Sequence, residues 1–322
     1  MHEFSPPRIK GRPALGDPSG LQRRLVAILQ ASPAPTICVA QERQDDGDQM
    51  VAGSALLHRI RSRVTALQRL GMRSGDVLVS GAVGAERVED ALACIVGGFA
   101  YWPAAGQERL GDGPLVTDSG SALVWLRNPP AHEAAEATML HQPPAALPIR
   151  MTVALHDAMQ PGGRQIRVLV STTSGSPPFA VNAQTIARLG STLRRRLGIK
   201  RQSVRFCAAP TESAVGVLLD LLPGIAARQV MVVPSELSPG TETIMSAMVR
   251  YHPDSLTLTL AQARALAHTT LEQEVRTALR QTALLIADTH PIPRDLREHF
   301  AAITARLDVG YILPEAGDAY LV

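Results

Sequence analysis

The 322 residues carry 32 lysine and arginine side chains against 29 aspartate and glutamate side chains, which gives a formal net charge of +3. So small a charge favours neither a nucleic acid nor a membrane surface as partner, and an aromatic content of 3% argues against stacking platforms for single-stranded nucleic acid. No run approaches the ~18 apolar residues of a membrane span, and the N-terminus lacks the apolar stretch of a signal peptide. We therefore expect a cytoplasmic protein.

The first half of the chain alternates helical and strand patterns. Residues 1–17 contain several prolines and glycines and predict a flexible leader. Apolar spacing then predicts helices and short strands in turn, which indicates a first α/β subdomain over residues 18–150. The predicted helices are 21–29, 54–70 and 86–96, and the predicted strands are 36–40, 77–80, 99–102 and 122–126.

A segment rich in proline and alanine follows, from Asn128 to Pro148, and Pro161-Gly162-Gly163 adds a second break. We interpret this part as the crossing to a second α/β subdomain, residues 151–322. Its predicted helices are 182–197, 212–221, 241–250, 260–279 and 293–305, and its predicted strands are 166–170, 204–208, 230–233, 255–258, 283–287 and 309–313. Helices that alternate with short apolar strands are typical of open, mostly parallel sheets.

The three cysteines are far apart in the sequence, and two of them lie in apolar, strand-like runs. We expect buried, reduced thiols and no metal site. The cysteines are Cys38, Cys94 and Cys207.

Residues 166–181 predict a strand, a hydroxyl-rich loop and then a helix. The loop is Ser171-Thr172-Thr173-Ser174-Gly175-Ser176-Pro177-Pro178. A turn of this kind lets backbone N–H groups, hydroxyls and the positive end of a helix converge on an anion. A Walker-type loop is excluded, because no Gly-Lys-Ser/Thr follows at the required spacing.

This loop resembles the phosphate loop of the adenylate-forming enzymes: acyl- and aryl-CoA synthetases, luciferases and the adenylation domains of nonribosomal peptide synthetases. Their loop has the pattern Thr-Ser-Gly-Thr-Thr-Gly-x-Pro-Lys-Gly. Thr172, Pro178 and Phe179 replace a glycine, the lysine and the last glycine of that pattern. The resemblance implies an ATP-binding loop formed by Ser171, Thr172, Thr173, Ser174 and Gly175.

Segments of the first half support the resemblance through their order and spacing. Leu-Gly-Met-Arg-Ser-Gly-Asp-Val, at 70–77, and Gly-Gly-Phe-Ala-Tyr-Trp-Pro, at 97–103, are similar to the first two core motifs of adenylation domains. Gln-Glu-Arg-Leu at 107–110 and Thr-Asp-Ser-Gly at 117–120 match the next stretch of the family.

The last third of the chain carries further matches. Residues 288–296 are similar to the family's Gly-Gly-Ala-Pro-Leu-Pro-x-Glu-Leu, with Asp288 and Thr289 in place of the glycines that lie against adenine and acyl groups. Residues 311–315 are similar to Tyr-Gly-x-Thr-Glu, which implies that Tyr311 stacks on adenine and that Glu315 helps to hold Mg²⁺. Pro314 replaces the threonine that contacts phosphate.

Other polar residues have two interpretations each. Glu212 stands where peptide-synthetase domains bind the substrate's amino group, and it is also a helix-start residue. Asp288, Thr289 and His290 are candidate substrate-binding residues, although a hydrolase relay is not expected without a Gly-x-Ser-x-Gly elbow. Arg194-Arg195-Arg196 is either a solvated helix end or a site for a phosphate or an acidic partner such as a carrier protein.

The resemblance implies the two α/β sheets of the large N-terminal domain of these enzymes, without their barrel subdomain and C-terminal domain. In the family a lysine of the C-terminal domain steadies the α-phosphate, whereas the lysines of this chain are Lys10 and Lys200. We predict a degenerate, truncated adenylation-like protein, a pseudoenzyme that acts as a binding or scaffold subunit of a biosynthetic pathway. The alternatives are half of a split ligase, an enzyme of changed chemistry in the inter-subdomain cleft, or an ATP sensor. A homo-oligomer or a partner protein is expected to cover its bare surfaces.

Overall fold

The structure is a computed structural model and describes residues 19–31, 35–40, 48–51, 53–69, 72, 77–80, 82, 84–103, 123–126, 137–139, 167–170, 179–211, 213–236, 238–314 and 318–322. Helices pack against two β-sheets in these ranges. The strands are β1 Thr36–Ala40, β2 Gln49–Val51, β3 Val77–Ser80, β4 Ala100–Pro103, β5 Leu123–Leu126, β6 Ala137–Met139, β7 Arg167–Val170, β8 Phe179–Asn182, β9 Val204–Phe206, β10 Val230–Pro234, β11 Ser255–Thr259, β12 Ala283–Asp288, β13 Arg306–Leu313 and β14 Asp318–Leu321.

The helices follow the spacing that the apolar residues predict. They are α1 Ser19–Gln30, α2 Gly53–Arg69, α3 Gly84–Gly97, α4 Ala183–Arg196, a π-helix Val215–Leu221, α5 Leu222–Ala227, α6 Thr241–Tyr251, α7 Leu260–Ala267, α8 Gln273–Leu279 and α9 Arg294–Ile303. Among the described residues, no helix is both long enough and apolar enough to cross a bilayer.

The larger sheet has eight strands in the order β14-β13-β12-β11-β9-β10-β1-β2. The six inner strands run parallel to one another, and β14 and β2 close the two edges in antiparallel fashion. Helices connect most of the parallel strands, as parallel pairing requires. The predicted α/β fold class is confirmed.

The smaller sheet has six strands in the order β6-β5-β3-β4-β7-β8. In its centre, β4 runs parallel to both of its neighbours, β3 and β7. The outer pairs, β3–β5, β5–β6 and β7–β8, are antiparallel. Both sheets are therefore mixed, but antiparallel pairs predominate in the smaller sheet and parallel pairs in the larger one.

Each of the two sheets contains strands from both halves of the chain. Strand β1 pairs with β10 in the larger sheet and β2 pairs with β1, whereas β7 and β8 extend the smaller sheet that β3 and β4 begin. The boundary at residue 150 stays a prediction about folding units, since hydrogen-bonded pairs cross it in both directions.

Two local predictions need correction. The loop after β7 leads first into β8, which pairs with β7 from Val170↔Phe179 to Arg167↔Asn182, and only then into α4. The interpretation as strand, loop and helix overlooked this hairpin because β8 is four residues long. The predicted helix 212–221 is a π-helix from Val215 that continues as α5.

Apolar cores cover both faces of the larger sheet. Along β12, Leu284 and Ile286 lie in one core, whereas Leu285 and Ala287 lie in the other. This explains the continuous apolar run of the strand, since both faces of a parallel sheet are covered. Cys94 and Cys207 are buried free thiols, as expected, and the side chain of Cys38 lies outside the described residues.

A buried ion pair links the larger sheet to the π-helix. Arg205 Nε donates to Asp220 Oδ1 at 2.7 Å, and both side chains are at most 1% exposed. Arg205 Nη2 donates to Leu219 O at 2.8 Å and to Thr257 Oγ1 at 2.5 Å. Asp220 Oδ2 has no hydrogen-bond partner among the described residues. Burial raises the pKa of Asp220 to about 6 against the opposing effect of Arg205.

A second buried carboxylate lies under the smaller sheet. Asp90 of α3 accepts hydrogen bonds from Ser80 Oγ at 2.6 Å and from Arg63 Nε at 2.8 Å. Its burial raises its pKa from 3.8 to about 6, although Arg63 and Ser80 act in the opposite direction.

Replacing Arg205 with methionine leaves the carboxylate of Asp220 buried without a countercharge. We expect this variant to lower the free energy of unfolding by about 3–5 kcal/mol. The double variant Arg205→Met/Asp220→Leu removes both charges and is expected to recover most of the loss, because apolar residues often replace a buried ion pair at little cost. Urea unfolding measures both, and a single variant as stable as the double would contradict this role of the pair.

The Asp90 carboxyl predicts an unusual pH dependence of stability. Its folded pKa of about 6 exceeds the unfolded value of 3.8, so the folded state holds the proton more tightly. Its contribution to stability is therefore largest below pH 3.8 and is lost as the pH rises to about 6. Relative to Asp90→Asn, the natural protein should gain about 1 kcal/mol of unfolding free energy between pH 7.5 and pH 5. A relative loss over the same interval would show that Arg63 outweighs burial.

Candidate functional site

The carboxyl ends of the parallel strands define one edge of the larger sheet, where open α/β sheets bind ligands. Strand β12 ends there at Asp288, and β11 ends at Thr259, one residue before α7 begins. Sequence reasoning placed Asp288, Thr289, His290 and Tyr311 at this edge, and the structure brings these four together.

Gln262 ties three segments of this carboxyl edge together. It forms a capping box with Thr259 at the start of α7. Its Nε2 also donates to Ala208 O at 2.7 Å, just after β9, and to Pro239 O at 3.2 Å, after β10. Sequence reasoning missed this residue. Its spacing three residues after Thr259 is the available signal, because that spacing is typical of a capping box.

The Asp288 carboxylate closes a tight turn after β12. Its Oδ1 accepts hydrogen bonds from the backbone N–H groups of Thr289, at 2.8 Å, and His290, at 3.1 Å. The Thr289 hydroxyl, at 3.2 Å, and His290 Nδ1, at 3.1 Å, contact the same oxygen. The three polar side chains therefore bond to one another through Asp288 Oδ1, and Asp288 and Thr289 stand where the family pattern has glycines.

His290 and Asp288 form a dyad, and the hydroxyl nearest to it belongs to Thr289. The Nδ1 atom that faces Asp288 also lies 3.0 Å from the Thr289 hydroxyl. The imidazole is 80% exposed, which leaves Nε2 on the solvent side. This arrangement orients the ring, but it does not form the hydroxyl-histidine-carboxylate relay of a hydrolase, because hydroxyl and carboxylate meet the same nitrogen.

Tyr311 lies in register with Asp288 on one side and with Tyr320 of β14 on the other. The two tyrosine rings are 5.4 Å apart with an interplanar angle of 31°. Tyr320 therefore covers part of the surface that Tyr311 would offer to a planar base. The aromatic ring needed for stacking is present at the carboxyl edge, but it already has an aromatic neighbour.

Several predicted site residues lie outside the described residues: Ser171, Thr172, Thr173, Ser174, Gly175, Glu212 and Glu315. The turn around position 212 is nevertheless fixed on both sides. Ser213 Oγ donates to Pro210 O at 2.7 Å and accepts from Gly216 N at 3.1 Å. A Cβ on Gly216 would lie 2.1 Å from Pro210 O, so only glycine allows the π-helix to approach this turn.

The described residues include only part of the predicted site for ATP and Mg²⁺. The Asp288 and Thr289 side chains occupy the position where the family pattern has glycines. No group of three or more metal-binding side chains occurs in the described part of the chain, and the predicted Mg²⁺ ligand Glu315 lies outside it. A cavity of about 950 Å³ beside α6 and α8 is lined by carboxylates that would repel a triphosphate: Glu236, Glu242, Glu272 and Glu274.

No family model matches the chain, and no curated protein matches its sequence. Solved structures do match its fold. ATP-bound MatB from Rhodopseudomonas palustris is 16% identical, with a TM-score of 0.63 over 91% of this chain and 60% of that chain. An acyl-CoA synthetase from Brucella canis is 13% identical, with a TM-score of 0.62 over 94% of this chain and 61% of that chain.

The N-terminal subdomain of NpsA from Klebsiella oxytoca, in complex with 3-hydroxyanthranilyl-AMSN, is 12% identical. Its TM-score is 0.59 over 95% of this chain and 75% of that chain. This chain thus spans about three fifths of the length of the MatB and acyl-CoA synthetase structures. At these identities the matches show the fold alone, and the fold is that of the adenylate-forming enzymes.

Proposed function

We propose that the chain is a cytoplasmic binding or scaffold subunit of a biosynthetic pathway, built on the adenylate-forming fold but without adenylating activity of its own. The observation that carries the proposal is the turn after β12, where Asp288 and Thr289 stand in place of the family's glycines and bond to each other. The family resemblance also implies a lysine that steadies the α-phosphate, and Lys200 does not take that role.

Lys200 lies at the wrong edge of the larger sheet for that role. It lines a cavity together with Ser255, Ala283 and Arg306, which are the first residues of β11, β12 and β13. Those are the amino ends of the strands, and the six residues of β12 span about 20 Å from there to Asp288. Loss of one preorganised donor to a developing charge typically lowers a rate by about 10² to 10³.

The carboxyl edge supports the same proposal. Asp288 accepts four hydrogen bonds or contacts within its own turn, so its carboxylate is already engaged. In the sequence, Thr172 and Pro178 replace the phosphate-loop glycine and lysine of the family pattern. These replacements remove both the cation and the close backbone approach that an acyl-adenylate requires.

The alternative proposal is half of a split ligase, with the missing lysine on another polypeptide. The structural comparisons favour the split-ligase alternative, because this chain covers 60% of MatB and 61% of the Brucella canis synthetase. Oligomerisation also stays a proposal. The large apolar side chains exposed in the described part of the chain are scattered: Met50, Leu313 and Val322.

Thermal unfolding with and without millimolar ATP and Mg²⁺ separates the two proposals. A nucleotide at about 100 times its Kd adds about 2.7 kcal/mol, which raises the midpoint by several degrees. We expect no shift for the natural chain and no ATP–pyrophosphate exchange. Lys200→Ala is the matched control and should behave as the natural chain does. A clear shift that is lost in Tyr311→Ala and kept in Lys200→Ala would overturn the scaffold proposal and favour the split ligase.

A further inference from the structure

The amino edge of the larger sheet contains a cavity of about 240 Å³. Its wall is formed by the turn after α4, which carries Lys200 and Ser203, and by the first residues of β11, β12 and β13. Arg306 and Gln281 complete its polar lining. This cavity lies at the opposite end of the strands from Asp288, so it is separate from the candidate site at the carboxyl edge.

A buried hydroxyl in this cavity accepts two hydrogen bonds and can donate one. Ser255 is 1% exposed, and its Oγ accepts hydrogen bonds from Gln229 Nε2 at 3.1 Å and from Arg205 Nη1 at 3.4 Å. Two donors thus face its lone pairs, so its own hydrogen can point either to Gln229 Oε1, which has no partner among the described residues, or to a group that enters the cavity. A buried donor is costly to leave without a partner, so an acceptor group that enters the cavity and takes this hydrogen would be stabilised there.

Exposed cations line the cavity and occur in the chain segments next to its lining residues. Lys200 and Arg306 line it, and Arg306 Nη1 donates to Arg196 O at 2.8 Å, which places the end of α4 beside it. Two carboxylates at the same edge already have partners. Asp254 accepts a hydrogen bond from Val204 N, and Asp308 forms an ion pair with Arg196. The exposed cations are Arg194, Arg195, Arg196, Lys200, Arg201, Arg280 and Arg306.

The helix dipole explains only part of this charge. Arg194, Arg195 and Arg196 lie in the last turn of α4, and Arg280 follows the end of α8, where cations are favoured. Lys200 and Arg201 lie beyond the helix, in the turn that borders the cavity. No helix end requires these two adjacent like charges, and their mutual repulsion is relieved when an anion binds.

We propose that this amino edge is a docking surface for an acidic segment of a partner protein, with one of its carboxylates in the cavity between Lys200, Arg306 and Ser255. The cations extend further than one small anion reaches, which favours an extended ligand. Most of them are arginines, whose planar fork matches a carboxylate with two hydrogen bonds.

A peptide also fits the surface better than a nucleic acid does. The Asp254 carboxylate lines the cavity and opposes the entry of any anion, but the backbone N–H groups of a peptide can donate to it, whereas the sugar-phosphate backbone of DNA has no such donor. This proposal extends the scaffold role by naming a class of partner. Because its test contains no ATP, its failure is separable from a failure of that role.

The test is a titration of fluorescently labelled poly-L-glutamate with the full chain, followed by anisotropy at low and at physiological salt. The surface variant combines four substitutions on the proposed surface, and the control variant combines four on exposed arginines of other helices, so both lose the same charge. The surface variant is Arg194→Gln, Arg195→Gln, Lys200→Gln and Arg201→Gln; the control is Arg61→Gln, Arg69→Gln, Arg264→Gln and Arg297→Gln.

We expect the surface variant to raise Kd about tenfold and the control to raise it less than about twofold, since each exposed ion pair contributes little by itself. Lys200→Gln alone leaves α4 unchanged and is expected to raise Kd by about twofold to threefold. An equal rise in Kd for both four-site variants would show that binding depends only on net charge, and would overturn the proposal. Tighter binding of an oligonucleotide of equal charge would overturn it too, as would complete displacement of the peptide by millimolar inorganic phosphate.

Discussion

The contact between Arg205 and Asp220 is the constraint on which the larger sheet depends. It joins β9 to the π-helix, and Arg205 also donates to Thr257 on β11, so one guanidinium holds three segments. Because both charges are buried, neither can be satisfied by water if the other is displaced. The π-helix must therefore pack closely on the sheet, and Gly216 makes that approach possible at Pro210.

Both edges of the larger sheet depend on this core, but they differ in how their polar groups are satisfied. At the carboxyl edge, Asp288 bonds within its own turn and Gln262 bonds to backbone carbonyl groups. At the amino edge, the Ser255 hydroxyl can donate to a group in the cavity, and the cation of Lys200 borders the same cavity. Affinity for a new ligand comes from groups that are not already paired, which favours the amino edge as a binding surface.

Local sequence patterns predicted most helices and strands well, because the spacing of apolar residues depends on whether one face or both faces of the element are buried. The apolar run at 283–287 predicted β12, and the structure buries both faces of that strand. Short strands such as β8 and β14 were missed, since four residues contain little periodicity. Pairing across the chain, as between β1 and β10, leaves no local signal at all.

The candidate site was predicted less completely for a related reason. The resemblance assigned Asp288 and Tyr311 to one edge, and the register of β12 with β13 brings them side by side. The sequence does not show that Lys200 lies at the other end of these strands, because that position depends on the order of strands in the sheet. Arg205 and Asp220 are 15 residues apart, and nothing in either local pattern predicts their contact.

The losses relative to the family pattern differ in how easily they could be reversed. Two substitutions at Asp288 and Thr289 would reopen the turn after β12. Lys200 lies about 20 Å away at the far end of the strands, so it contributes no nearby charge to that turn. The buried charges of Arg205 and Asp220 stabilise the sheet whether or not a nucleotide binds. Such contacts maintain the fold independently of the chemistry at its edges, which is what the proposed binding role requires.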